Sequence, residues 1–481
     1  MNDAYPQDLG LLINGEWHRG GRNVHVVTNP ATEAPLAELP LATEADLDAA
    51  LHAAQRGFHI WSAMSAHQRA RLMMRAAQLL KERKESIARV LTLENGKPLV
   101  DSLGELDRAI ETIEWTAEEG KRTYGRVMVP RSRALSEMTI KRPVGPVAAF
   151  APWNFPVVLA ARKVAAALAA GCSTVIKPAE ETPASCIALA QAFTDAGVPA
   201  GVINMVFGVP AQVSNHLIAS TTIKKVSFTG SVPIGRLLCK LAGEQLKPVT
   251  MELGGHSPVI VFDDVDVERI ATMCAAFKYR NAGQVCLSPN RFYVHERIYD
   301  AFVARFVAAA QRIEVGDGLR PGTKMGPLNN VRRLRAAEAF VEDACARGAR
   351  IETGGKRVGT RGYFFEPTVL TCVDEGASIL NEEPFCPVVP IMPFATTEEA
   401  IAKANGVEFG LAAYAFTDSL TRASQLVESL EAGWLGINSF TPSLADAPIG
   451  GLKTSGIGYE GGPEGLDAYL HTKYVSQASL V

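Results

Sequence analysis

The stretch VGPVAAFAPWNFPVVLAARKVAAALAA, residues 144–170, decides the architecture. Val144 to Ala151 is an apolar run of strand length, which reads as a buried strand. Pro152-Trp153-Asn154-Phe155-Pro156 interrupts it, and Val157 to Ala170 then carries the pattern of a helix. The alternation continues through strand Ser173 to Ile176, helix Ala184 to Ala196 closed by Gly197, and strand Val202 to Phe207. Helix Gln212 to Ala219, strand Lys225 to Phe228 and helix Ile234 to Ala242 follow. Strand-length runs alternating with helical segments predict parallel strands joined by crossover helices, an α/β nucleotide-binding architecture. Such sheets bind ligands beyond the carboxyl ends of their strands, where Pro152 to Phe155, Lys177 to Glu180 and Thr229 to Ser231 fall.

Working outward, His67 to Leu93 reads as one long helix whose Arg and Lys residues form a solvated face. After Gly255 a second α/β set begins with strand Pro258 to Phe262 and helix Val267 to Tyr279, leading directly to Cys286. Its later strands include Phe365 to Leu370 and Val388 to Phe394, punctuated by glycine turns at 354–355 and 450–451. A chain of 481 residues is too long for one core, so two large lobes are expected. The division is a cofactor domain over 1–124 and 144–253, a catalytic domain over 254–464, and a small β element over 125–143 and 465–481. Within that element Val127 to Val129 and Met138 to Lys141 suit a hairpin, and His471 to Val481 suits a strand. Unpaired edges of this kind invite a partner chain, giving a homodimer or homotetramer; the alternative is a tail folded back on its own domain.

Hydrophobic residues at 47% and charged residues at 21% describe an ordinary soluble protein, and a net charge of −3 gives no footprint for nucleic acid. Met1 to Leu12 lacks a basic segment followed by an apolar one, and no apolar run reaches the roughly 20 residues needed to span a bilayer. A cytoplasmic protein with no membrane partner is expected. The eight cysteines are scattered without CxxC or CxxH spacing, so reduced thiols are expected and no metal site.

Two residues point to chemistry. Cys286 ends the run Arg280-Asn281-Ala282-Gly283-Gln284-Val285-Cys286, and Glu252 opens Glu252-Leu253-Gly254-Gly255. A thiolate attacks a carbonyl far better than a hydroxyl, and the resulting thioester needs an activated water to release it. That pairing predicts two-step oxidation of an aldehyde to an acid. The bland alternatives are a small buried hydrophobe for Cys286 and a strand-end carboxylate for Glu252.

Taken together, Pro152-Trp153-Asn154-Phe155-Pro156, Lys177-Pro178-Ala179-Glu180, Phe228-Thr229-Gly230-Ser231, Glu252-Leu253-Gly254-Gly255, Gly283-Gln284-Val285-Cys286, Glu383-Pro384-Phe385 and Gly450-Gly451-Leu452-Lys453-Thr454-Ser455-Gly456 occur in one order. In this the chain resembles the NAD(P)-dependent aldehyde dehydrogenase superfamily over nearly its whole length. The resemblance implies a Rossmann-type cofactor domain, Cys286 as nucleophile, Asn154 as oxyanion donor beside the Cys286 N–H, and Glu252 as the base for thioester hydrolysis. Glu252 also speaks against acyl transfer to coenzyme A. No GxGxxG follows Phe228; in the family's variant Gly230 and Ser231 bring a pyrophosphate to a helix N-terminus. Trp153, Lys177, Glu180, Glu383 and Phe385 resemble the remaining cofactor residues. A carboxylate at Glu180 would accept a ribose 2′-hydroxyl and repel a 2′-phosphate, which predicts NAD over NADP. Cys386 stands where the family usually has glycine.

Arg162 and Arg280 resemble the pair with which succinate-semialdehyde dehydrogenases hold the substrate's distal carboxylate, with Ser443 as a third ligand. An arginine beside Lys163 on a helix also fits a solvated face. The resemblance implies oxidation of succinate semialdehyde to succinate, the alternative being glutarate semialdehyde or an aromatic or heteroaromatic aldehyde. Ser288 occupies the position of a second cysteine found in some members, so no disulfide latch is expected.

Overall fold

The computed structural model describes residues 5–19, 23–440 and 444–478. Five parallel strands, Ile203–Met205, Thr174–Lys177, Val147–Phe150, Lys225–Thr229 and Val249–Glu252, stand side by side in that spatial order. Chain direction therefore reverses its progress across the sheet between Val147–Phe150 and Lys225–Thr229, the switch point at which doubly wound sheets open a crevice. The crossovers include the helices Pro156–Ala170, Pro183–Asp195 and Pro210–Ala219, each with proline in its first turn, where a missing N–H costs nothing. The strands are shorter than the apolar runs of the sequence. Val202, Val206 and Phe207 are buried beyond the ends of Ile203–Met205, because burial continues where the ladder stops.

The helix expected over His67 to Leu93 is two helices, Ala66–Glu82 and Lys84–Asn95, broken at Arg83 (φ −100°, ψ 4°). Neither glycine nor proline marks the break. Arg83 instead pairs with Asp195 at 2.6 Å, and the second helix buries Leu91 through Asn95. Its face is also less solvated than expected: Arg69 is buried, donating to the carbonyls of Met64 and Ala169.

A second sheet has the order Arg350–Thr353, Thr368–Thr371, Val388–Phe394, Pro289–His295, Ser257–Val261, Ala412–Phe416, Trp434–Ile437, parallel except at the Arg350–Thr353 edge. Each sheet has its own hydrophobic core. Near the end of the chain Gly456–Ile457 pairs antiparallel with Val249–Glu252, and Leu466 and Tyr469 belong to the first core. Leu470–Ala478 then pairs over nine residues with Leu135–Pro143, whose other edge takes Arg126–Met128, forming a separate three-stranded sheet. No helix among the described residues is long and apolar enough to cross a membrane.

Candidate active site

The loop before Cys286 is wound the wrong way for L-residues. Asn281 (φ 47°), Ala282 (φ 53°) and Gly283 (φ 72°) are consecutive left-handed residues, a conformation that costs of order 1–3 kcal/mol at each non-glycine. Hydrogen bonds hold it. Asn281 Nδ2 donates to the Asn154 carbonyl at 3.1 Å, Gln284 Nε2 donates to Asn281 O at 3.0 Å, and Gln284 Oε1 accepts from the Asn329 N–H at 2.9 Å. At Gly283 a Cβ would lie 2.2 Å from the Cys386 carbonyl, so this position admits glycine alone. Cys386 itself is buried.

Asn154 is 3% exposed and donates through Nδ2 to the Gln284 carbonyl at 3.1 Å, which sets its amide against the cysteine loop with a second N–H to spare. Beneath it lies an ion pair that the sequence did not announce. Lys97 Nζ is 2.6 Å from Glu105 Oε2 and donates to the Asn154 carbonyl at 2.6 Å, and Glu105 Oε1 accepts the Val157 and Val158 N–H groups. Glu105 thus caps the helix Pro156–Ala170, as Glu94 caps Pro183–Asp195 through the Ala184 and Ser185 N–H groups.

Glu252 ends its strand 6% exposed, opposite Thr229. Burial, and then the negative charge of Glu460, hold its carboxyl well above the usual range, against the pull of Lys163 and Arg162. Lys163 is fully buried and bonded to Glu460 and Thr229. The whole of the helix Pro156–Ala170 is buried, so Arg162 and Lys163 sit on no solvated face. Glu460, missed in the sequence, is followed by Gly461-Gly462 much as Glu252-Leu253 is followed by Gly254-Gly255, a signal that was present. Burial, then the carboxylates of Glu252 and Glu383, push the Cys286 thiol up to about 12, while Arg162 opposes them.

Two cavities meet at Cys286, Thr229 and Leu253. The first, about 400 Å³, is lined by Trp153, Asn154, Gly230, Ser231, Glu383 and Phe385 among others. Glu383 accepts the Gly255 N–H at 3.1 Å, and a Cβ on Gly254 would fall 2.4 Å from its carboxylate, so glycine leaves this cradle open. Burial raises Glu383 to about 7. Trp153 meets Phe385 edge to face at 5.7 Å. Ser231 precedes the helix Val232–Glu244 without capping it by its side chain, so first-turn N–H groups remain available to phosphate. Further along the strand ends, Lys177 pairs with Glu180 at 2.6 Å and Glu180 accepts the Gly208 N–H at 3.0 Å. This donor set fits a dinucleotide.

The second cavity, about 70 Å³, is lined by Cys286, Glu252, Glu460, Arg162 and Arg280 together with apolar side chains such as Phe155, Leu159 and Ile449. The structure thus brings both sequence-predicted arginines to one cavity, and adds Arg108. Arg280 lies 3.8 Å from Asp101 and 5.4 Å over the Phe155 ring. Ser443 lies outside the described residues.

A doubly wound α/β lobe and a second α/β lobe, with a cysteine in the cavities beside the strand ends, define the class as a nicotinamide-dependent oxidoreductase. Residues 17–475 match the aldehyde dehydrogenase family. The 4-(hydroxymethyl)benzenesulfonate dehydrogenase of Comamonas testosteroni is 47% identical over 97% of both chains, and the NADP-dependent succinate-semialdehyde dehydrogenase of Escherichia coli is 42% identical over 99% of both. The crystal structure of betaine aldehyde dehydrogenase from Staphylococcus aureus in complex with NAD+ superimposes with a TM-score of 0.95 at 34% identity, covering 98% of this chain and 94% of that one. The chain belongs to the aldehyde dehydrogenase family, and its cofactor is a nicotinamide dinucleotide.

Proposed function

We propose that this enzyme oxidises an aldehyde with a terminal anion to the carboxylic acid, using NAD, with succinate semialdehyde as the preferred carboxylate-tailed substrate. The observation that carries the reading is the meeting of the two cavities at Cys286, one of them lined by Arg162 and Arg280. The Cys286 thiol gives its proton to water as its sulfur adds to the carbonyl carbon, and the oxyanion is held by the spare Asn154 N–H and the Cys286 backbone N–H. Trp153, Lys177, Glu180, Gly230, Ser231, Glu383 and Phe385 would hold the dinucleotide, which would supply a two-electron acceptor for hydride. Glu252 takes a proton from water, which attacks the thioester and releases the acid. Burial and the Glu460 charge raise its proton affinity, so it holds a proton more tightly than an exposed carboxylate would. The Glu180 carboxylate favours a 2′-hydroxyl over a 2′-phosphate. Ser443 is the remaining candidate ligand for the distal anion.

A second reading keeps the mechanism and lengthens the substrate to glutarate semialdehyde or an aromatic or heteroaromatic aldehyde. The apolar walls of the cavity and the benzenesulfonate compound named for the relative at 47% identity favour it. We also infer a cofactor domain over 1–124 and 144–253, a catalytic domain over 254–464, and assembly into a cytoplasmic homodimer or homotetramer through 125–143 and 465–481. The unpaired edge of Leu470–Ala478 supports the assembly. NADH formation with succinate semialdehyde, glutarate semialdehyde and benzaldehyde tests the function. Turnover must need NAD, vanish in Cys286→Ser, and favour the anionic aldehydes; a variant as active as the parent would refute the mechanism.

A further inference from the structure

The turn Glu383-Pro384-Phe385 carries two of the residues lining the first cavity, and its backbone is strained. Phe385 has φ 47°, the left-handed region that a bulky side chain adopts only where its surroundings hold it there. The Gly255 N–H donates to Glu383 Oε1 at 3.1 Å, and the Trp153 ring meets Phe385 edge to face at 5.7 Å. Arg333 supplies a further hold. Its Nη2 donates to the Pro384 carbonyl at 2.9 Å, and its guanidinium carbon lies 5.8 Å from the centre of the Phe385 ring, within reach of a cation–π attraction. Its charge also bears on Glu383, whose carboxyl is raised to about 7 by burial against the Gly255 N–H and the Arg333 guanidinium. One side chain thus acts on all three residues of the turn.

The backbone that carries this side chain is itself fixed. Arg333 is the third residue of the helix Val331–Ala346, whose cap Asn330 accepts the Arg333 N–H at 3.2 Å. The Asn329 N–H before it is held at 2.9 Å by Gln284 Oε1 of the cysteine loop. The titratable side chains lining the first cavity are Cys286, Arg332, Arg333 and Glu383. Arg332 is largely exposed and turns to Glu181 at 3.0 Å, so Arg333 is the one of these two cations bonded to the turn.

We propose that Arg333 is a positioning residue for the cofactor: it holds the strained turn in the shape that presents Glu383 and Phe385 to the dinucleotide. This rests on the reading that Glu383 and Phe385 hold the dinucleotide, and it names what keeps them in place. Without the guanidinium the Pro384 carbonyl loses its donor, and Phe385 is free to relax out of the left-handed region and away from Trp153.

The test is the dissociation constant of NADH, followed by its fluorescence, for the parent, Arg333→Met, Arg333→Lys and Arg332→Met, with Glu383→Gln and Phe385→Leu as references. That constant, unlike the amplitude, does not depend on how much of a sample is folded. Arg333→Met weakens NADH roughly 10-fold, the worth of about one hydrogen bond from a charged donor. It raises KM for NAD and leaves KM for the aldehyde unchanged, since Arg333 does not line the second cavity. Arg333→Lys, which keeps the cation and loses the fork, lies between. Arg332→Met, which removes a charge from the same cavity without touching the turn, stays within about twofold of the parent. An Arg333→Met constant within about twofold of the parent's, or a lysine variant no better than methionine, overturns the proposal. So does Arg332→Met weakening NADH as much as Arg333→Met, because bare charge in the cavity would then govern binding. If Glu383→Gln and Phe385→Leu both bind NADH as the parent does, the underlying reading of the turn fails, whatever Arg333 does.

Discussion

Replacing Lys97 by methionine tests whether the buried ion pair beneath Asn154 holds the site together. The ammonium has no exposed surface, lies 2.6 Å from Glu105 Oε2 and from the Asn154 carbonyl, and sits 3.9 Å above the Phe155 ring. Methionine keeps the length of the stem and removes the charge, leaving the Glu105 carboxylate buried opposite a thioether. Removing one partner of a buried pair costs about 3–5 kcal/mol. Glu105 keeps the Val157 and Val158 N–H groups at 2.8 and 3.2 Å and the favourable end of a helix dipole, which sets the expectation near about 3 kcal/mol. For a chain of 481 residues that is a fall in melting temperature of about 3 °C or more, larger if only one lobe melts at that step. Adding Glu105→Gln removes the stranded charge while its amide oxygen still accepts from the helix, so the double variant recovers at least about half of the loss. Thermal scans of parent, single and double variants decide it. A Lys97→Met protein melting within about 2 °C of the parent, or a double variant melting below the single, would refute the argument. Turnover of Lys97→Met should fall through kcat, within the roughly 10²–10³ that losing one oxyanion donor costs, because Asn281 still holds the Asn154 carbonyl.

Glu252→Gln should retain a first-turnover burst of NADH and lose about 10²–10⁴ in steady-state rate, seen by stopped flow; equal losses in both phases would remove the hydrolytic role from this residue. The parent's kcat should fall tenfold per pH unit on the acid side, since the base works only when ionised, with the fall beginning above the range of an exposed carboxylate because burial and Glu460 raise its proton affinity; an acid limb at or below that range contradicts the sign. Arg162→Ala and Arg280→Ala should each lower the preference for succinate semialdehyde over benzaldehyde by roughly 10- to 100-fold, and an unchanged preference would remove the anion clamp. Glu180→Gln should shift the NADP-to-NAD ratio of kcat/KM toward NADP, and an unchanged ratio would detach this carboxylate from the ribose.

The fold was legible because its signals are contiguous. Residues 144–170 show a strand, a turn and a helix in one pass, and the order of the short motifs identifies the family. Cys286, Glu252 and Asn154 stand out for the same reason, each lying in a run of small or aromatic residues whose spacing is local. The break at Arg83 was illegible, since Asp195, which pairs with it, is 112 residues away and no breaker residue stands in the helix. Nor could Arg162 be told from a solvated face until the whole of the helix Pro156–Ala170 was found buried.

What the amino-acid order by itself determined was the inventory: a nucleophile, an acid, an amide, glycines at close approaches, and strands long enough to carry them. Only the tertiary structure decided which charges answer one another. Lys163 and Glu460 are 297 residues apart, Lys97 and Asn154 are 57 apart, and Arg108 reaches the cavity of Arg162 and Arg280 from another helix. Periodicity reports the environment of a residue relative to its chain neighbours, whereas a buried charge must be met by whatever side chain the packing brings within about 4 Å, and no local pattern encodes that partner.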